Sequence, residues 1–361
     1  MSSLIFVIVI FVLSVDYGKS HSCLSFNNVS MLLYDRNGRK FNQGVNGCIT
    51  RTEFGNTTVV KAYVKNQIIP TLGRDSVKHM KHLTIVSFNN CALEEILPVA
   101  FRNVPKLTTI EMTFGKLKLI PKGIFNSELT PQLELLRIHH NEIDTIEDQS
   151  FYNISSLKHV QLNNNKLESW RSEWFDESTS LEIIDFSFNH LREIPSKAFI
   201  NLKNMKNISF DYNDIMIIHP DAFKEIRTLA YLGLSHNKLT VLSDKSFPNT
   251  LRLNYFKINA NYLTFLSNKV LQKLAAVEIK IDFNPWTCPC LQRINYWLYI
   301  KNGKIKVSDE CDGSHIPICV VPNNTQTCLD HFDHEAMLRY INTIKAVNIS
   351  TPIPLSCVAF Q

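Results

Sequence analysis

Phenylalanine recurs through the middle of this chain at Phe101, Phe125, Phe151, Phe175, Phe199, Phe223 and Phe247, with intervals of 24, 26, 24, 24, 24 and 24 residues. Asparagine keeps step with it: Asn141, Asn165, Asn189, Asn213, Asn237 and Asn261 each follow the last by 24. A period of this length is the mark of a solenoid, whose units bury their apolar faces only against their neighbours. Such a core grows along one axis and accommodates 361 residues without an oversized interior. The repeat thus moves the functional question from a catalytic cleft to an extended surface.

The units align on L-x-x-L-x-L-x-x-N-x-L-x-x-L. The third reads Leu133, Leu136, Ile138, Asn141, Ile143, Ile146, Phe151, and the fourth to seventh repeat it in full. Units beginning at Leu83 and Leu107 carry Cys91 and Gly115 at the asparagine position. The second has two extra residues near Asn126–Gln132, expected as a bulged loop. An eighth unit begins at Leu253, a truncated ninth holds Ile279, Ile281 and Asn284, and a degenerate unit begins at Val59. Alternation in the L-x-L segment is strand periodicity, so successive units stack one parallel sheet. The asparagine amide, with donors and an acceptor, can satisfy backbone groups that stacking hides from water. The phenylalanines form a column under the opposite face. The sheet side is the more tightly spaced, so the expected fold is an α/β-type solenoid curved with its strands on the concave face.

Leu4–Leu13 is an unbroken apolar run of ten, too short to span a bilayer, followed by small residues up to Ser20. It reads as a signal peptide over residues 1–20. Eight of nine cysteines then lie outside the regular repeats: Cys23 and Cys48 before, and Cys288, Cys290, Cys311, Cys319, Cys328 and Cys357 after. In an oxidising compartment such clusters act as disulfide staples. Six N-x-Ser/Thr sequons agree with export: Asn28, Asn56, Asn153, Asn207, Asn323 and Asn348. No second apolar run of membrane length follows, and the tail lacks a lipid-anchor signal. A soluble, secreted, extracellular glycoprotein is expected, with an N-terminal cap over 21–58, repeats over 59–283 and a cysteine-rich C-terminal cap and tail over 284–361.

The repeat pattern resembles the leucine-rich repeat family, of the 24-residue extracellular type found in Slit-like proteins and Toll-receptor ectodomains. The segment NPWTCPC (Asn284–Cys290), followed by Cys311 and Cys328, resembles that family's cysteine-rich C-terminal cap. The resemblance implies disulfide caps at both ends, Cys23 paired with Cys48, Cys288 with Cys311, Cys290 with Cys328 or Cys319, and Cys357 with the remaining partner. Many relatives use four cysteines in the N-terminal cap, so this one departs from the pattern. Cys91 is read as a buried structural thiol, with an intermolecular disulfide as the alternative.

Little points to chemistry. His331 and His334, with Asp333 and Glu335, lack the i, i+4 histidine spacing of a helical zinc motif and read as a solvated lead into a cap helix over about Glu335–Val347. His139 and His140 lie on the third strand, where a pH-sensitive contact is conceivable beside the plainer reading of two polar surface residues. Cys288-Pro289-Cys290 fits structural bridges better than redox exchange. No phosphate loop, nucleophile elbow or carboxylate pair is present, so neither an enzyme nor a cofactor or metal is expected. A net charge of +5 without a dense basic run points away from nucleic acid.

The residues between the core positions of each strand form the expected exposed face. One column is Ser87, Glu111, Arg137, Gln161, Asp185, Ser209, Gly233 and Lys257. The next is Asn89, Thr113, His139, Asn163, Ser187, Asp211, Ser235 and Asn259. Beside the ladder run Asn90, Phe114, His140, Asn164, Phe188, Tyr212, His236 and Ala260. Phe188, Tyr212, Tyr231 and Tyr255, with Asp185, Asp211, His236 and Lys257 among them, make the predicted ligand-binding patch, since hot spots favour aromatics with a few charges. Asn207 lies in the same patch, and a glycan there would shield it.

The plan also resembles secreted insect leucine-rich immune proteins, in a form lacking the coiled-coil tail. The resemblance implies a non-catalytic recognition protein of innate immunity that binds a protein or a microbial or glycan surface. The alternative is an adhesion or guidance ligand acting through cell-surface receptors. A dimer across the strand face is compatible with either.

Overall fold

The computed structural model describes residues 25–306, 319–322 and 326–347. The expected signal peptide, Cys23, Cys311, Cys357, Asn323 and Asn348 lie outside the described residues. One sheet of thirteen strands runs the length of the described chain. It opens with an antiparallel hairpin, β1 (Phe26–Asp35) and β2 (Lys40–Gly47). Asp35 Oδ1 closes its turn by accepting from the N–H groups of Asn37 and Arg39, both at 2.9 Å. β1 then pairs antiparallel with β3 (Val59–Lys65), so the hairpin covers the first edge of the repeat sheet. From β3 onward every pairing is parallel, beginning with β4 (Ile85–Asn89) at an offset that sets Lys61 opposite Ile85. β5 to β9 follow as Thr109–Thr113, Leu135–Arg137, His159–Gln161, Ile183–Asp185 and Asn207–Ser209. β10 to β13 are Thr228–Gly233, Leu251–Lys257, Leu274–Lys280 and Lys304–Ile305.

Behind the sheet the phenylalanine column is buried and stacked. Phe101, Phe125, Phe151 and Phe175 follow one another at centroid distances of 6.2, 6.1 and 5.1 Å, and Phe199, Phe223 and Phe247 at 5.2 and 5.6 Å. Between the two runs Trp170 packs 5.7 Å from Phe175 and 5.3 Å from Phe199. Trp170 stands where other units place Ile or Leu, and its indole N–H donates to the Ala198 carbonyl at 3.1 Å. The two extra residues of the second unit form a turn capped by Asn126, whose side chain accepts from Glu128 and Leu129 N–H.

The asparagine ladder joins units rather than merely filling them. Asn189 Nδ2 donates to the Leu162 carbonyl of the preceding unit (3.0 Å) and to Phe186 of its own (3.1 Å), and its Oδ1 accepts from Leu167 N–H (3.0 Å). Asn165, Asn213, Asn237, Asn261 and Asn284 repeat the scheme. At Gly115 a Cβ would stand 2.6 Å from Asn141 Oδ1, so the next unit's amide needs the missing side chain. Cys91, free and buried, puts its sulfur 3.4 Å from the Val64 and Asn89 carbonyls and supplies only the donor half.

The C-terminal end corrects one expected pairing. Cys288 bonds Cys319, not Cys311, and Cys290 bonds Cys328, with Cα separations of 4.8 and 4.5 Å. The reason is local: Trp286–Thr287 pairs in parallel with Cys319–Val320, delivering Cys319 to the start of α1 (Cys288–Ile300). Arg293 of α1 ties the same segment down through Asp330 and the Cys328 carbonyl. Cys48 is disulfide-bonded to a partner outside the described residues. The cap helix α2 spans His334–Val347. Asn189→Ala leaves the buried Leu167 N–H without its acceptor and removes one donor from the Leu162 and Phe186 carbonyls, which keep Asn165 and Asn213, and should lower unfolding stability by about 2 kcal/mol. Urea unfolding checks this, and an unchanged midpoint would strip the ladder of its stabilising role.

Candidate recognition surface

One backbone feature organises the strand face. At the end of each strand the residue before the ladder position adopts a left-handed conformation, at Asn66, Asn90, Phe114, His140, Asn164, Phe188, Tyr212, His236, Ala260 and Phe283, with φ from 51 to 63°. Asparagine tolerates this region, whereas bulky aromatics rarely occupy it. Because each unit repeats the same dihedrals, side chains in this column project in parallel and their rings meet face to face. Phe188 stacks on Tyr212 at 4.2 Å and Tyr212 on His236 at 4.0 Å, with interplanar angles of 8 and 9°. Nearer the N-terminus Phe114 stacks on His140 at 4.3 Å and meets His139 edge-on. Phe114 and Phe188 are nearly half exposed, at 48 and 47%.

The five ring-bearing residues among the eight predicted for ligand binding therefore fall into two strips. Phe188, Tyr212 and His236 form the left-handed strip. Tyr231 and Tyr255, 5.7 Å apart, lie at the opposite side of the strands, about 15 Å away along the chain direction. Lys306 sits 5.4 Å over the Tyr255 ring as a cation–π partner. Asp185 is half buried and turned back on its own strand end, accepting from the Ser187 N–H (3.0 Å) and hydroxyl (2.6 Å).

Asp211 is turned into the protein rather than to solvent. It is 5% exposed, and its carboxylate accepts from the Ser235 N–H (2.7 Å) and hydroxyl (2.5 Å), and from the Tyr231 hydroxyl. Lys257 Nζ completes the group at 3.3 Å. Burial first, and then the Asp211 charge, push the Tyr231 phenol far above its ordinary range, so it remains a donor. Tyr231 lies flat across Gly233, where a Cβ would stand 2.5 Å from Asp211 Oδ2 and 2.7 Å from the tyrosine ring.

The same geometry corrects the expected exposure of two columns. Ser87, Thr113, Ser187, Asp211, Gly233, Ser235 and Asn259 are buried rather than presented to solvent. They are mostly small residues on a parallel sheet, and at Gly233 the Tyr231 ring lies over the strand. Asn207 is half buried and opposite Tyr231 in register. In the N-terminal half the floor is polar instead: Arg137 bridges Glu111 and Gln161, the latter at 3.0 Å.

The remaining titratable groups of this face and of the C-terminal end make local contacts. His139 and His140 bring their Nδ1 atoms to 2.8 Å. Burial, then His140 and Arg137, hold His139 below the ordinary imidazole range. At the C-terminal end Asp333 is a helix cap, accepting from Ala336 N–H at 2.8 Å, rather than part of a ligand set with His331 and His334. Among the described residues no group of three or more His, Cys, Asp or Glu is placed to hold a metal ion. No helix of the described residues is long and apolar enough to cross a membrane.

Two measurements follow. Gly233→Ala should displace Tyr231 from Asp211 and cost about 2 kcal/mol through overpacking, read by thermal unfolding; wild-type stability would mean that Tyr231 moves freely. With its folded pKa lowered, His139 contributes stability that is complete above the unfolded imidazole value and lost as pH falls through the lowered one. An NMR titration should give His139 a midpoint below that of a free imidazole, and a midpoint at or above it would refute the assignment.

Comparison with known proteins agrees with this architecture. A model of the BspA type leucine rich repeat region (6 copies) matches residues 48–135 and 120–254, and a leucine rich repeat model matches residues 227–285. No curated protein matches the sequence. Among solved structures, a chain of the mouse RP105/MD-1 complex aligns at a TM-score of 0.58 and 20% identity, covering 68% of this chain and 42% of that one. A chain of the glycosylated Drosophila Toll–Spatzle complex aligns at 0.51 and 17%, covering 74% and 43%. This chain thus spans less than half the length of either, and at these identities the likeness is one of fold.

Proposed function

Since this chain belongs to the leucine-rich repeat family, we propose that it is a secreted, non-catalytic recognition protein that binds an extracellular protein or a microbial surface through its strand face. The observation that carries this reading is the Phe188–Tyr212–His236 stack. Three consecutive aromatics sit in a backbone region that costs non-glycine residues on the order of 1 kcal/mol each, where asparagine serves as well in neighbouring units. Their stacking offsets part of that cost. Phe188 remains about half exposed, as an anchor for a partner needs. Tyr255 and Lys257 supply a second contact strip, with Tyr231 and Asp211 as its support.

The disulfides and the expected signal peptide over 1–20 support an extracellular setting, and the domain limits 21–58, 59–283 and 284–361 describe cap, repeats and cap. Asn28 and Asn56 are exposed sequons suited to glycans; Asn207, half buried beside Tyr231, is the one whose glycan would compete with a partner. Two structures alike in fold are complexes with protein partners, MD-1 and Spatzle, and the second is described as a hub in development and innate immunity. That parallel supports a role in innate immunity for this chain.

Affinity capture from native extracellular fluid tests the reading, with the secreted protein beside a Phe188→Ala/Tyr212→Ala variant. A captured partner should bind the variant at least about tenfold more weakly, and its identity separates an immune from an adhesive role. Partners retained equally by both proteins would overturn the strand-face assignment.

A further inference from the structure

A second concavity lies apart from the predicted ligand-binding strips, near the N-terminal end of the repeats. It is a half-open cavity of ≈ 390 Å³ between the short turn Arg51–Phe54 with the loop after it, and the connection over residues 79–82. Phe54 and Met80, both buried, give it an apolar floor. Its charged wall is of one sign: Arg51 and Lys81 line it together with His79 and His82, and no acidic residue does. Glu53, on the same turn, is not part of the lining. The carboxylates nearest in sequence to the other walls are already engaged. Asp35 accepts from Asn37 and Arg39 N–H, and Asp75 is paired with Arg102.

Two contacts shape the wall. Arg36 Nη2 lies 2.7 Å from His82 Nδ1 and 3.0 Å from Nε2, which brings a third strong cation beside the mouth. Asn103 Nδ2 lies 2.9 Å from His79 Nδ1 and fixes that ring. Desolvation, and then Arg36, Lys106, Arg51 and Lys81, hold His82 below the ordinary imidazole range. Near neutral pH the permanent charges are therefore those of the guanidinium and ammonium groups. Cations gathered around an apolar-floored hollow with no carboxylate in its lining give that lining a net positive charge.

The geometry points to a binding site for a monosaccharide-sized organic anion, a sugar carrying a sulfate or phosphate ester. The volume is at the low end of the roughly 300–1,000 Å³ of small-molecule sites, which suits one ring rather than a chain. Arg51 and Lys81 would hold the ester oxygens, the guanidinium by paired N–H donors. Threonine hydroxyls of the 50–58 turn and the Asn103 amide offer partners for sugar hydroxyls, and Phe54 and Met80 face the apolar side of the ring. The sequon residue Asn56 is itself in the lining, so a glycan attached there would share the entrance. The site does not depend on the strand-face reading.

Isothermal titration calorimetry on the full secreted chain tests it, using N-acetylglucosamine 6-sulfate and 6-phosphate as probes and unesterified N-acetylglucosamine as the reference. At least one ester should bind saturably, about tenfold or more tighter than the reference, and less tightly as salt is raised. The preferred ester identifies the anion. Arg51→Ala/Lys81→Ala should weaken binding by about tenfold or more, while Lys224→Ala, on a distant repeat, should leave it unchanged; circular dichroism confirms that both variants are folded. An Asn56→Gln chain is titrated in parallel, and binding confined to it would support the site and make the glycan its cover. Absence of ester binding in both chains, or equal binding by Arg51→Ala/Lys81→Ala, would overturn the proposal.

Discussion

The side-chain amide that reaches from one unit into the one before it is the contact on which the rest of this molecule depends. Its Nδ2 spans two carbonyls and its Oδ1 takes an N–H, so each buried turn is satisfied only when its neighbour sits at a fixed offset. Offset and dihedrals are thereby repeated together. The left-handed residue before each ladder position follows from that repetition, and so does the parallel projection of the side chains it carries. Stacked rings on the strand face are thus a product of backbone bonding in the interior, not of attraction between the rings alone.

The two interruptions of the ladder are handled differently. At Gly115 the space is given up so that Asn141 can approach. At Cys91 a small thiol occupies the interior with weak sulfur–carbonyl contacts, and burial raises its pKa so that it stays a thiol. Both lie toward the N-terminal end, close to the antiparallel hairpin. The ladder is therefore complete in the units that carry Phe188, Tyr212 and His236, where regular geometry matters most for ring stacking.

Much of the fold could be read from residues 83–284 because leucine, asparagine and phenylalanine each mark a position fixed by burial. The hairpin was less visible, although Asn37-Gly38 between two alternating runs is a turn signal of the usual kind. The resemblance implied Cys328 as one of two partners for Cys290, but the partner of Cys288 was not legible, since it is decided by where Cys319–Val320 pairs, and that is a matter of space rather than spacing. Repeat positions did put Phe188, Tyr212 and His236 in one column, whose rings the structure stacks, but alternation treats every outward position alike. It could not reveal that Tyr231 folds over Gly233, or that Asp211 spends its carboxylate on Ser235 and Tyr231. Neither could it distinguish the column in left-handed backbone, because φ leaves no trace in the identity of Phe188 or Tyr212.

Trp170, wedged between Phe175 and Phe199, gives the molecule a built-in optical gauge. Trp170 and Trp174 are buried in the central repeats, whereas Trp286 and Trp297 are buried where the repeats meet the C-terminal disulfides. Those are all four tryptophans of the chain. Emission from the first pair reports the middle of the stack, and emission from the second reports its disulfide-bonded end. Replacing one pair by phenylalanine would separate the two signals. Light alone would then tell whether this linear array melts as one body or gives way section by section.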